Sequence, residues 1–160
     1  MSSRVLLLSV RPKYAEKIFE GLKEVELRRI RPRIQEGDLV IVYASSPKKA
    51  LIGAFEVHKV VQKPLEDLWD EVSEKAAISY SEFCLYYRGL SVGCGIFFEK
   101  TYNFPRPVNL EILRQEWNNF RPPQSYRYLK PREVDIVESI TQFDINKFSR
   151  TYQTTLNLVY

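Results

Sequence analysis

The apolar positions of this chain fall into short groups of differing period, and each group predicts a different element. Val5–Val10 is an apolar run of strand length, the pattern of a strand buried on both faces. Pro12 then suits the first turn of a helix, where its missing N–H costs nothing. Tyr14, Ala15, Ile18, Phe19 and Leu22 recur at helical spacing, Lys13, Glu16, Lys17 and Glu20 lie outside, and Gly21 marks the stop. A helix of about three turns follows from that spacing. Residues 23–30 alternate, with Val25 and Leu27 on one face and Glu24, Glu26 and Arg28 on the other. Arg29, Arg31 and Arg33 continue into a loop around Pro32, and Glu36-Gly37-Asp38 is a turn signal.

Leu39–Ala44 and residues 51–61 read as strands rich in Val, Ile, Tyr and Phe, separated by Ser45-Ser46-Pro47-Lys48-Lys49. Pro64 opens a second helix, with Glu66 and Asp67 in its first turn and a buried stripe of Leu65, Leu68, Trp69, Val72 and Ala76. Ser79-Tyr80-Ser81-Glu82 has the spacing of a capping box, which predicts a third helix running to about Arg88 and stopping at Gly89. A strand over residues 91–102 contains Gly93 and Gly95, explained by bending or close backbone approach, and is expected to end before Phe104-Pro105-Arg106-Pro107. Asn109 caps a short helix over residues 110–117, and Pro122-Pro123 break the chain before Gln124 to Leu129. Pro131 and Glu133 predict one or two further helical turns, and the last residues form either an added edge strand, here or on a second copy, or a loose end. Short strands at close intervals with polar turns favour a small barrel over a doubly wound sheet.

Composition adds bounds. A chain of 160 residues, 44% hydrophobic and 13% aromatic, is one domain with ample core. We divide it into residues 1–140 as the domain and 141–160 as a C-terminal extension that packs on it or mediates contacts. The net charge of +4 is uneven: residues 1–63 carry 13 Lys+Arg against 7 Asp+Glu, whereas residues 64–160 carry 11 against 13. A basic first part points to an anionic partner, RNA, DNA or a nucleotide, with a solvated basic face as the alternative. Cys84 and Cys94 match neither a zinc clip nor a redox pair and read as small apolar residues of a reducing compartment. No apolar run reaches membrane length, and the expectation is a cytoplasmic protein with no membrane contact.

Chemistry is narrowed by what is scarce. His58 is the only histidine and sits in an alternating strand, reading as a core or strand-edge imidazole. With two isolated cysteines and scattered carboxylates, no metal or other cofactor is expected. Two groups remain. Lys23, Glu26 and Arg28, with Arg11 and Lys13, carry charge where a plain strand would not. A Lys23–Glu26 pair in a pocket would keep both ionised, hold a base edge or relay a proton. Positions three apart on a strand face opposite ways, so this requires Lys23 to sit in the preceding turn or a bulge to intervene; the alternative is a solvated outer face. The amides of Lys13, Tyr14 and Ala15 at the start of the first helix, with no capping side chain before Pro12, form a candidate phosphate site. Tyr43, Ser45, Ser46, Lys48 and Lys49, and separately Gln124, Ser125, Tyr126, Arg127 and Tyr128, mix aromatics, hydroxyls, amides and cations as single-stranded RNA or a nucleoside requires.

Arg11-Pro12-Lys13-Tyr14-Ala15, then Gly21-Leu22-Lys23-Glu24-Val25-Glu26-Leu27-Arg28, then Gly37-Asp38 leading into the next strand and Gly53 beyond it, resemble the ASCH domain of the PUA-like superfamily. Gly-x-Lys-x-x-Glu-x-Arg is the specific part; Tyr86-Tyr87-x-Gly89 and Pro122-Pro123-Gln124-Ser125-Tyr126 resemble later segments. The resemblance spans roughly residues 4–138. It implies an α+β fold, a small mixed or antiparallel PUA-like β-barrel with flanking helices, and a cleft that binds RNA or a nucleotide. Some relatives are ribonucleases; a subgroup hydrolyses N4-acetylcytidine with a lysine matching Lys23 and a threonine where this chain has Glu26. The expected function is an RNA- or modified-nucleoside-binding domain with its basic cleft at residues 21–28. The alternatives are a metal-independent hydrolase with Lys23 and Glu26 as acid and base, or a protein-interaction module regulating transcription or translation. A homodimer through the C-terminal tail is a further expected contact.

Overall fold

The computed structural model of the protein describes residues 4–145 and 147. Among the described residues six strands, β1 (Val5–Val10), β2 (Val25–Arg28), β3 (Leu39–Ala44), β4 (Ala50–Pro64), β5 (Val92–Asn109) and β6 (Tyr126–Tyr128), make one mixed sheet in the order β2-β5-β4-β3-β1-β6. Only β1 and β3 run parallel, from Val5 opposite Leu39 to Val10 opposite Ala44; the other pairs are antiparallel. The sheet is flanked by helices α1 (Pro12–Phe19), α2 (Leu65–Val72), α3 (Tyr80–Tyr86), α4 (Leu110–Glu116) and α5 (Pro131–Thr141). The fold is α+β, with the sheet curled into a half-barrel.

The apolar run of β1, interrupted only at Ser9, has a direct cause. Leu7 faces a core with Trp117, Val134 and Val137 under α4 and α5, whereas Leu6 and Leu8 face Ala15 and Ile18 of α1. Each buried leucine contributes about 1.5–3 kcal/mol by leaving water. A third core sets β2 against α2 and α3, joining Val25 and Leu27 to Leu68, Phe83 and Tyr87. Gly53 seats α1 on the sheet, since a Cβ there would stand 2.5 Å from both the Phe19 ring and the Tyr102 carbonyl. The capping box at Ser79 is present in both directions.

The half-barrel is open between its edge strands β2 and β6, and the chain bridges that seam with side chains. An Arg28 Nη donates to the Ser9 carbonyl at 2.6 Å, and the Tyr128 hydroxyl accepts the Arg33 N–H. The loop between β2 and β3 therefore runs across the seam, with Pro32 and Ile34 buried beneath it.

Four expectations are corrected. β5 does not stop before its prolines: the step from Asn103 to Val108 lies opposite the two-residue step from Gly53 to Leu51. Pro105 and Pro107 occupy this irregular stretch, where no ladder N–H is required, and pairing resumes at Val108. α5 has 11 residues, because Val134, Val137 and Thr141 bury a face that the sequence pattern understates. Cys84 is exposed and only Cys94 is buried, its thiol pushed up to about 11 by burial. His58 is neither in the core nor on an edge strand; it is half-exposed on the inner strand β4 with its Nδ1 3.4 Å from Glu99. Among the described residues no helix is long and apolar enough to cross a membrane. The expected edge strand and dimer contact at the C-terminus fall outside the described residues.

Candidate nucleic-acid cleft

A cleft of about 770 Å³ opens over the start of α1, the β2 strand and the end of β3. Its floor comes from the segment Lys23 to Arg28. Gly21 takes a φ of +80°, a conformation open to glycine at little cost, and the chain turns so that the backbone N–H of Lys23 donates to the Lys17 carbonyl at 3.1 Å. Lys23 thus lies in the turn before β2, the condition required for it to share a face with Glu26. Their Nζ and Oε1 atoms are 3.9 Å apart, and the two residues are 2% and 5% exposed. Solvated outer-face positions would be open to water, so that alternative does not describe Glu26.

The ammonium of Lys23 donates to the Ala76 carbonyl at 2.8 Å and stands 5.2 Å from the centre of the Tyr14 ring. Burial pushes its pKa below the ordinary lysine value, with the Glu26 carboxylate partly opposing the shift. Glu26 Oε1 accepts the N–H of Leu27, while Oε2 and the neighbouring Arg28 Nε are buried without a partner. Arg28 is held by Ser9, as described for the seam. Tyr86 and Tyr87 fix the far side of β2, donating their hydroxyls to the carbonyls of Leu27 and Arg28.

The rim is assembled from distant segments. Arg11, Lys13 and Tyr14 come from α1 and its cap, Glu82, Leu85 and Tyr86 from α3, Tyr43, Ser45, Ser46 and Lys49 from the end of β3 and the turn into β4, Arg114 from α4, and Pro122 to Gln124 from the loop before β6. Lys13 is bound to Glu82 at 2.9 Å; that hydrogen bond raises the lysine's pKa and lowers the carboxylate's. Burial raises the Tyr43 phenol pKa. Arg11, Lys13, Lys23, Arg28, Arg29, Lys49 and Arg114 face only Glu26 and Glu82, an excess of positive charge suited to a polyanion.

Of the residues singled out from sequence, Arg11, Lys13, Tyr14, Lys23, Glu26, Arg28, Tyr43, Ser45, Ser46, Lys49 and Gln124 line this cleft. Lys48, Ser125, Tyr126 and Arg127 do not. Lys48 lies in a neighbouring depression with Pro12 and Glu16. The Ser125 carbonyl accepts the Ser9 N–H, and Tyr126 packs beside Leu8. Arg127 pairs in register with Leu7, so strand alternation sends it to the other face, 5.0 Å over the Trp117 ring and 3.1 Å from Glu133. The phosphate site expected at the start of α1 is also reduced, since the Tyr14 and Ala15 amides both donate to the Arg11 carbonyl. Sequence reasoning missed Arg114, which reaches the cleft only because α4 packs there and so leaves no local signal.

The ASCH domain family model matches residues 8–148. This chain belongs to the ASCH domain family. An ASCH domain-containing ribonuclease of Zymomonas mobilis is 30% identical over 135 residues, covering 84% of this chain and 90% of that protein. The crystal structure of ASCH from Zymomonas mobilis superposes with a TM-score of 0.80 at 29% identity, covering 86% of this chain and 95% of that one. The ASCH domain is also similar to a large ribosomal subunit protein uL22 of Ureaplasma parvum, 28% identical over 81% of this chain but only 40% of that protein.

Proposed function

We propose that this ASCH domain binds single-stranded RNA in the cleft and cleaves it there. The observation that carries the reading is the unbalanced charge of the cleft: Arg11, Lys49 and Arg114 hold no carboxylate among the described residues. The name of the Zymomonas relative, a ribonuclease, supports the choice of RNA and of cleavage. RNA brings its own nucleophile. The 2′-hydroxyl attacks the adjacent phosphorus, its proton passes to a base, and the 5′-oxygen leaves with a proton from an acid, producing a 2′,3′-cyclic phosphate. The protein then has to supply proton carriers and cations for the phosphorane. Lys23 and Glu26 are the acid–base pair in this reading, Lys49 and Arg114 carry phosphate charge, and the Tyr43 phenol is a hydrogen-bond donor beside them.

Incubation of the protein with labelled single-stranded RNA in excess chelator tests this directly. The expected products end in cyclic phosphate, and Lys49→Ala lowers the rate about 100-fold with an unchanged melting temperature. Intact RNA that is still bound, with affinity falling as salt rises, reduces the function to binding. Absence of both overturns the reading. The unpartnered Glu26 Oε2 favours a second reading, a nucleoside amidohydrolase that docks a base N–H on that oxygen. Release of acetate from N4-acetylcytidine, abolished in Glu26→Gln, would move the assignment there.

A further inference from the structure

We propose that the arginine loop across the half-barrel seam is a second phosphate site, continuous with the cleft, that holds RNA nucleotides flanking those in it. The inference rests on the RNA reading of the cleft and extends it to a surface outside. The loop leaves β2 through Arg28 and Arg29, which line the cleft, and continues to a groove of about 540 Å³ containing Arg4, Arg31 and Arg33. All three are exposed.

Asp38 is the carboxylate of that groove, and it does not neutralise the arginines. It is 3% exposed, and its two oxygens accept the backbone N–H groups of Arg4 at 2.9 Å and Gln35 at 2.8 Å. The guanidinium groups of Arg31 and Arg33 make no hydrogen bond or ion pair among the described residues. Arg4 donates to the Arg33 carbonyl at 3.1 Å and lies 5.5 Å over the ring of Tyr128, which is 37% exposed. The buried Pro32 and Ile34 and the Tyr128 hydroxyl hold the loop in place, so its backbone needs little further ordering on binding. Guanidinium groups beside an aromatic plane, on a path that begins in the cleft, match a phosphate–sugar strand with stackable bases better than an isolated anion.

The test is anisotropy with unstructured RNA of about six and about twenty nucleotides, lengths that bracket one single-strand site. The double variant Arg31→Gln/Arg33→Gln is expected to weaken the longer RNA about tenfold and flatten its log–log salt slope by about 1.4, the release expected for two single-strand phosphate contacts. The shorter RNA should bind within about twofold of the parent, and the melting temperature should not move. Arg114→Ala, in the cleft, should weaken both lengths alike. Equal binding of long RNA by parent and double variant overturns the second site, as does a parent that binds both lengths equally or neither. If the double variant loses long RNA while Arg114→Ala changes nothing, the seam site stands and the cleft reading fails.

Discussion

Two lysine–glutamate pairs border the same cleft and do opposite things. Lys13 and Glu82 are 2.9 Å apart with side chains 57% and 38% exposed; Lys23 and Glu26 are 3.9 Å apart and almost wholly buried. By distance the rim pair is the stronger. By environment the order reverses, because water and salt screen the rim while the floor has already lost its hydration. The rim pair holds α1 and α3 together loosely across the opening. The floor pair has no such freedom: each member is the other's nearest counter-charge, and each is tied to a backbone group.

The largest effect expected from breaking this contrast is Lys23→Ala, which strands the Glu26 carboxylate and empties the space under Tyr14. A loss of about 3–5 kcal/mol is expected, read as a lower urea midpoint at constant slope. Glu26→Gln keeps an acceptor for the Leu27 N–H but leaves the ammonium without its counter-charge; about 2 kcal/mol is expected. The double variant Lys23→Met/Glu26→Gln should cost less than the sum of its singles by about 1 kcal/mol or more. Additive losses would mean that the two groups act independently.

A smaller effect is expected with pH. The folded-state pKa of Lys23 lies below the unfolded value, so between the two the unfolded chain binds more protons and stability rises with pH. The cost of burying the ammonium is present below the folded pKa and relieved as pH climbs towards the ordinary lysine value. The stability difference between parent and Lys23→Met should therefore shift in the parent's favour over that alkaline window; a flat difference would place the ammonium in water. The smallest effect belongs to the rim. A double-mutant cycle on Lys13 and Glu82 should return a coupling within experimental error, and a clear coupling would remove the distinction between the two pairs.

The parts of this site legible in the chain are those set by short-range rules. Pro12 and Gly21 bracket α1, and the odd spacing of Lys23 and Glu26 demanded a turn that the structure contains. The segment Gln124 to Arg127 looked like a uniform ligand wall. Only Gln124 lines the cleft, because β6 pairs with β1 and alternation turns Arg127 to Trp117. The prolines after Phe104 looked like a strand end, but a register shift absorbs them.

By itself, the sequence determined most of the strands and helices, though neither β6 nor the end of β5, that β1 is covered on both faces, and that a turn and the strand after it carry a lysine, a glutamate and an arginine at a telling spacing. These follow from local periodicity and backbone preference, which operate over a few residues. The tertiary structure alone decided that the Lys23–Glu26 pair is buried, that Lys49 and Arg114 meet in one cleft, and that the arginine loop crosses the seam. Burial, desolvation and convergence of charge depend on which distant surfaces pack together, and no short stretch of chain encodes that.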